Sequence, residues 1–396
     1  MQGIAKKWIF LLLSTVFLFS TLRITDEWAP ISIEITYLTL FIVVLSIFIY
    51  KDKVLIYNKI TFVLMFILLI FGILSSLVNS DVDSLMRVAV FYVLFISMNI
   101  FVPSYFKGNT EKIVAISLII THIPILYIPI LTKGINTIPY YGIFTNPNSV
   151  AGVAVTVLMV IVAIACNQVE YIYFGHKTSK LLLALNIIVI MSLLMIISYA
   201  DSRTSFLSAL FVIIFGLSLV LVNVVRFKKI GDFIVRSIVI VPISIALFFI
   251  LNIYFPLIET VEATILTKFK TKSSRVLDGR AEIWEQAFNM SGFFGGGSDV
   301  FFGEIGKGSH NTFIEFLGVF GWVPFIMIIL FMLISFYYTI KYFMNSSSKY
   351  KYLAPIVFIA FTSLSMAEDM NWKASIIALF VLTGFVSNKT KLTVVK

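Results

Sequence analysis

A chain of 396 residues that is 60% hydrophobic and only 13% charged, with a mean hydropathy of +1.02, is neither a water-soluble globule nor a disordered segment. Its formal charge of +10, from 30 Lys and Arg against 20 Asp and Glu, would point a soluble protein toward nucleic acid, but in a membrane chain it must first be located. The one cysteine, Cys166, excludes an intramolecular disulfide and a thiolate metal cluster.

Apolar runs long enough to cross about 30 Å of hydrocarbon occur 12 times, over residues 8–25, 31–50, 60–78, 87–104, 112–131, 149–166, 181–199, 204–225, 234–256, 313–338, 353–367 and 374–388. The expected fold is therefore an all-α integral membrane protein, one polytopic domain over residues 1–396. Lys6 and Lys7 before the run from Trp8 resemble a signal peptide, but no small-residue cleavage site follows, so the run reads as a retained first span. The last two runs are short and fit either two spans or a re-entrant hairpin.

With the N-terminus placed in the cytoplasm, 19 of the 30 basic residues and four of the 20 acids fall inside. Six of the other 11 basic residues lie in one long loop, which orientation rules weigh lightly, so both termini are expected in the cytoplasm. The positive excess is then an orientation signal and implies no nucleic-acid partner.

The long loop, residues 257–312 between the ninth and tenth spans, is expected on the extracytoplasmic side and is expected to carry the active site. Loops of this length are usually functional or disordered. Asp278 fits an N-cap, followed by Arg280, Ala281, Trp284, Ala287 and Phe288 at helical spacing, which predicts a short amphipathic helix ended by Gly295, Gly296 and Gly297.

Two attractive motifs fail. The run from Gly303 to Ser309 lacks the Walker pattern and sits on the wrong side for ATP. His122, His176 and His310 fall in different places, so no histidine metal site is expected. What remains is an outer-face set. Arg203 lies in the turn before the eighth span and Arg280 in the first turn of the loop helix, where a guanidinium and free N–H groups can hold one anion. His310 and Asn311 stand where the loop re-enters the membrane, with Glu315 just inside. Arg87 is a secondary candidate beside Asp81 and Asp83. Pro147 and Asn148 read as a turn and an N-cap. Each also has a bland reading, as a cap, an interfacial charge or a solvated pair.

Together, Asn146-Pro147-Asn148, Ser202-Arg203, Arg280 with Trp284 and Ala287, the break at Gly295 to Gly297, and His310-Asn311 ahead of Gly318 and Gly321 resemble the O-antigen ligase and polymerase superfamily over about residues 60–340. The resemblance implies a 12-span GT-C type fold and a bacterial plasma-membrane glycosyltransferase that works outside the cytoplasm without metal or other cofactor. Its substrate would be a glycan carried on undecaprenyl pyrophosphate. It further implies that Arg203 and Arg280 bind the pyrophosphate and that His310 assists the acceptor hydroxyl; Asn146, Asn148, Trp284, Asn311, Glu315 and Arg87 are secondary candidates. The inventory suits that reaction, because a pyrophosphate leaving group needs cationic donors and the acceptor needs a base.

The expected activity is polysaccharide polymerisation, for O-antigen or capsule, extending the non-reducing end of a lipid-linked repeat unit. Lys-, Ile- and Phe-rich usage fits a Gram-positive source without lipid A and favours this over the alternative, a ligase acting on lipid A core or another surface acceptor. A flippase for lipid-linked sugars should carry polar residues deep in several spans, and most of these spans are apolar at their centres, with the polar residues gathered at the outer mouth. A non-catalytic assembly subunit would use the Trp284 face for partners. A chain-length regulator and a flippase are the candidate partner proteins.

Overall fold

A computed structural model describes residues 2–25, 27–50, 58–174, 179–227, 231, 249–250, 252–253, 256–267, 280–370 and 373–392, and every element among them is helical. The helices are α1 (Gln2–Leu22), α2 (Ala29–Tyr50), α3 (Lys59–Val78), α4 (Val82–Phe95), α5 (Thr110–Lys133), α6 (Pro147–Tyr173), α7 (Lys180–Tyr199), α8 (Arg203–Arg226), α9 (Leu257–Val261), α10 (Arg280–Met290), α11 (Thr312–Phe320), α12 (Trp322–Asn345), α13 (Leu353–Ser365) and α14 (Ala374–Leu392). The helix α4 runs on through a π segment, Ile96–Phe101, into Val102–Phe106.

Nine helices among the described residues, α1 to α8 and α12, are long and apolar enough to cross a membrane. The protein is thus an all-α, multi-pass membrane protein. The span expected over 234–256 falls largely outside the described residues, as does Asp278. At 13 residues α13 spans about 20 Å, less than the hydrocarbon thickness. Both α13 and α14 are instead buried among other helices, with Val357, Ala360, Ala378 and Val381 fully covered.

Local chemistry explains most element boundaries. Asn58, Asp81, Ser179 and Asn311 accept hydrogen bonds from first-turn N–H groups of α3, α4, α7 and α11. The centre of the bundle is α6, buried over most of its length and packed against α5, α7, α8 and α13, with Gln168 and Glu170 each paired inside near its C-terminal end. In α4 the π segment ends two residues before Pro103, which has no N–H to give, and within that segment the Asn99 amide donates to the Phe380 carbonyl and Thr383 hydroxyl of α14, each at 2.9 Å.

Three sequence expectations need correction. The N-cap of α6 is Asn146, whose side chain accepts from the Asn148 N–H at 2.8 Å, with Pro147 as the first helical residue; proline suits that position because its missing N–H would be unpaired anyway. The expected tenth span, 313–338, is two helices broken at Gly321, where φ is +89°. The loop helix buries Ile283 and Ala287, with Trp284 beside them, and leaves Ala281 and Phe288 exposed.

The break at Gly321 builds the floor of one end of the bundle. The Gly296 and Gly297 N–H groups donate to the Gly318 and Val319 carbonyls at 2.8 and 3.1 Å, clipping the long loop onto the end of α11. A Cβ at Gly295 would lie 2.6 Å from the Gly321 nitrogen, so the two backbones approach as closely as only glycine allows.

Candidate functional site

At this end of the bundle, α1, α2, α4, α11, the long loop and the turn joining α13 to α14 enclose a cavity of about 570 Å³, a size typical of small-molecule sites. Its wall carries Arg23, Arg87, His310 and Lys373, opposed by Asp83, Glu315, Glu368 and Asp369, with Phe91, Phe302 and Phe316 supplying apolar surface.

His310 lies on this wall. Its φ of +47° is left-handed, a conformation that costs a non-glycine residue energy and marks a constrained position. The neighbours enforce it. The Trp284 indole N–H donates to the Ser309 carbonyl at 2.9 Å, bringing α10 against the residue before His310. On the other side Asn311 caps α11 through the Phe313 and Ile314 N–H groups at 2.9 and 3.2 Å, and its own amide donates to the Met366 carbonyl at 3.2 Å.

Glu368 is the hub, and sequence reasoning passed over it. One carboxylate oxygen accepts from the Asn148 amide at 3.0 Å and lies 3.8 Å from the Arg280 guanidinium; the other lies 3.7 Å from His310 Nδ1. Burial pushes this carboxyl up, but the His310 contact and the charges of Lys373 and Arg280 outweigh it and hold the pKa below the ordinary value. A second Arg280 nitrogen donates to the Ala367 carbonyl at 2.9 Å, so Arg280 braces the 366–370 segment that follows α13. The Thr312 hydroxyl donates to the Glu368 carbonyl at 3.1 Å and accepts from the Met370 N–H at 2.9 Å, fixing the turn from α11.

Glu315 lies on the facing wall, 2.7 Å from the Ser309 hydroxyl and 3.4 Å from Arg87. Burial, with Asp369 adding to it, raises its pKa above the ordinary value against the opposing effects of Ser309, Arg87 and His310. Burial lowers the Arg23 guanidinium from its ordinary value, a shift that Tyr37 and Asp369 oppose and Arg87 reinforces.

Of the residues singled out in the sequence, His310, Glu315 and Arg87 line the cavity; Arg280, Asn148, Trp284 and Asn311 bond directly to residues around it. Asn146 serves as the α6 cap. Arg203 begins α8 after the turn at Asp201 and is not among the residues that line the cavity. That turn is tied to the 134–146 connection by a Tyr140 N–H to Tyr199 carbonyl bond of 2.8 Å, and the same connection reaches the Ile24 carbonyl, beside Arg23, through the Thr145 N–H. Sequence reasoning missed Arg23, Ser309, Glu368, Asp369 and Lys373. One signal was available: after Glu315, Glu368 and Asp369 are the only acids in the chain.

Among the described residues no three His, Cys, Asp or Glu side chains are grouped to hold a metal ion. The arrangement offers an imidazole beside a carboxylate, cations for an anionic group, and aromatic faces against which an apolar ring face can pack. No protein-family model and no curated protein matches this sequence.

Proposed function

We propose that this protein is a polysaccharide polymerase of the bacterial plasma membrane, transferring a growing glycan from undecaprenyl pyrophosphate to the non-reducing end of another lipid-linked repeat unit. The observation that carries the reading is the placement of His310 Nδ1 3.7 Å from Glu368, on the wall of a cavity that also bears Arg23, Arg87 and Lys373 and is backed by Arg280. A carboxylate at Nδ1 favours the tautomer whose Nε2 accepts the acceptor's hydroxyl proton, and stabilises the imidazolium that forms. Guanidinium and ammonium groups offset the charge that develops on a departing pyrophosphate.

In this reading both termini are cytoplasmic, the cavity opens outside the cytoplasm, Arg23, Arg87 and Lys373 meet the pyrophosphate with Arg280 behind them, Arg203 lies off the lining and is given no contact with it, and the fold is of GT-C type. Flippase and chain-length regulator proteins act alongside it. No metal or nucleotide enters the transfer.

The test is His310→Ala in a deletion strain of the source bacterium, with protein abundance monitored. The expected result is surface glycan limited to single repeat units. Unchanged long-chain polymer overturns the assignment, and full-length chains held on the carrier identify a ligase instead.

A further inference from the structure

The segment Ser309-His310-Asn311 is held from several directions, and one of its anchors has no part in the transfer just described. The Ser309 hydroxyl lies 2.7 Å from Glu315 Oε2, 3.2 Å from the Asn311 carbonyl and 3.4 Å from the Asn311 N–H. A hydroxyl has one proton to donate. The charge-assisted bond to the carboxylate is the shorter and stronger, which leaves the hydroxyl oxygen facing the Asn311 N–H as an acceptor. One side chain thereby ties together both residues that flank His310.

Glu315 is not needed as a helix cap. The first N–H groups of α11 are taken by Asn311 Oδ1, and the carboxylate turns back toward Ser309 instead. It is a partly buried acid, its side chain 17% exposed, in an otherwise largely apolar helix, a placement with a desolvation cost that a solvated surface charge does not have to meet. The charged groups facing it are Arg87 from α4, His310 from the loop and Asp369 from the turn before α14.

We infer that Glu315, acting through the Ser309 hydroxyl and oriented by Arg87, is a positioning residue that fixes His310 in its left-handed conformation beside Glu368. The inference rests on the reading of His310 as the group that receives the acceptor proton. It assigns Glu315 no contact with substrate. Loss of the anchor lets the 309–311 backbone relax, moving the imidazole from its place by a distance that catalysis feels strongly.

Two measurements test it, using Glu315→Ala, Ser309→Ala, the double variant and Glu315→Gln in the full-length protein. The first is polymer synthesis by complemented cells at matched abundance. Each Ala variant should fall roughly 10- to 100-fold, the size expected when a reacting group is displaced. The double variant should fall no further than either single one, because both break one linkage. Glu315→Gln, which still accepts from Ser309, should recover most of the activity. Multiplying single effects, or a Gln variant as poor as Ala, overturns the inference, the latter because it points to charge or proton transfer.

The second measurement is carbethoxylation of His310 by diethyl pyrocarbonate across pH, read by peptide mass spectrometry on purified protein. His310 is about half exposed and His122 fully buried, so the latter serves as an unreactive reference. Ser309→Ala and Glu315→Ala should change the rate at high pH by about fivefold or more, the loss of a constrained geometry, while Glu315→Gln follows the wild type. Unchanged profiles in both Ala variants refute the anchor. This reading needs no glycan: should His310→Ala make normal polymer, the proposed function fails while the reactivity of His310 still decides the anchor. If an Ala variant does not accumulate, Glu315→Met, of similar length, takes its place.

Discussion

Glu368 lies between Asn148 and His310, accepting from the amide of the first at 3.0 Å while its other oxygen stands 3.7 Å from Nδ1 of the second. Glu368→Gln keeps a group able to bond Asn148 but removes the charge facing the imidazole. Polymer synthesis is expected to fall by about 10²-fold, within the range of general acid–base effects, with unchanged protein abundance. Chain-length analysis of surface glycan at matched expression checks this.

The two cavity carboxyls respond to pH in opposite senses. Glu368 has a lowered folded-state pKa, so its stabilising contribution is present above its ordinary value and is lost as pH falls through the lower folded one. Glu315 has a raised pKa, so the folded state loses stability as pH rises from 4.5 toward the folded value. Thermal unfolding in detergent should therefore show that Glu368→Gln flattens the acid limb of the wild-type curve, while Glu315→Gln gains relative to wild type near neutral pH.

The Gly321 break is a backbone requirement. With φ at +89° and the Phe293 carbonyl where a Cβ would go, Gly321→Ala should cost more than about 2 kcal/mol. Gly152 on α6 has nothing within 4 Å of its would-be Cβ, so Gly152→Ala should be neutral or stabilise by up to about 1 kcal/mol. Melting temperatures of the two variants separate a glycine the site needs from one it does not.

At the opposite end of the bundle, Lys351 Nζ bonds Glu170 at 2.7 Å, both side chains being nearly covered, and the Tyr352 hydroxyl bonds the other Glu170 oxygen at 2.5 Å. Lys351→Met strands a buried carboxylate and should cost about 3–5 kcal/mol. Adding Glu170→Gln should recover much of that loss, a comparison that a thermal-shift cycle of the four proteins measures directly.

Much of this molecule was legible in advance. Long apolar runs give spans because a bilayer leaves no other partner for backbone N–H and C=O groups, and that rule needs no tertiary knowledge. His310, Arg280 and Glu315 stood out because a charged or titratable group at a membrane boundary is costly and conspicuous. The inward face of α10 was misread in part, since Ile283 is covered and Ala281 exposed while Phe288 keeps one side against Trp322 and Phe325 of α12, and helical spacing alone does not say which of two neighbouring stripes is covered. Asn148 was expected as a cap and as a secondary site candidate with no partner named, and its amide reaches a carboxylate 220 residues away.

The sequence by itself determined that the chain is a helical membrane protein with a polar loop near its C-terminal third, because composition and run length act residue by residue. Only the tertiary structure decided that the turn between two short, buried helices carries Glu368 to His310, and that Arg23 and Lys373 line the cavity while Arg203 does not. A helix fixes where its own residues lie relative to one another, but which helix ends meet is set by packing across the bundle, and no local pattern in the sequence records it.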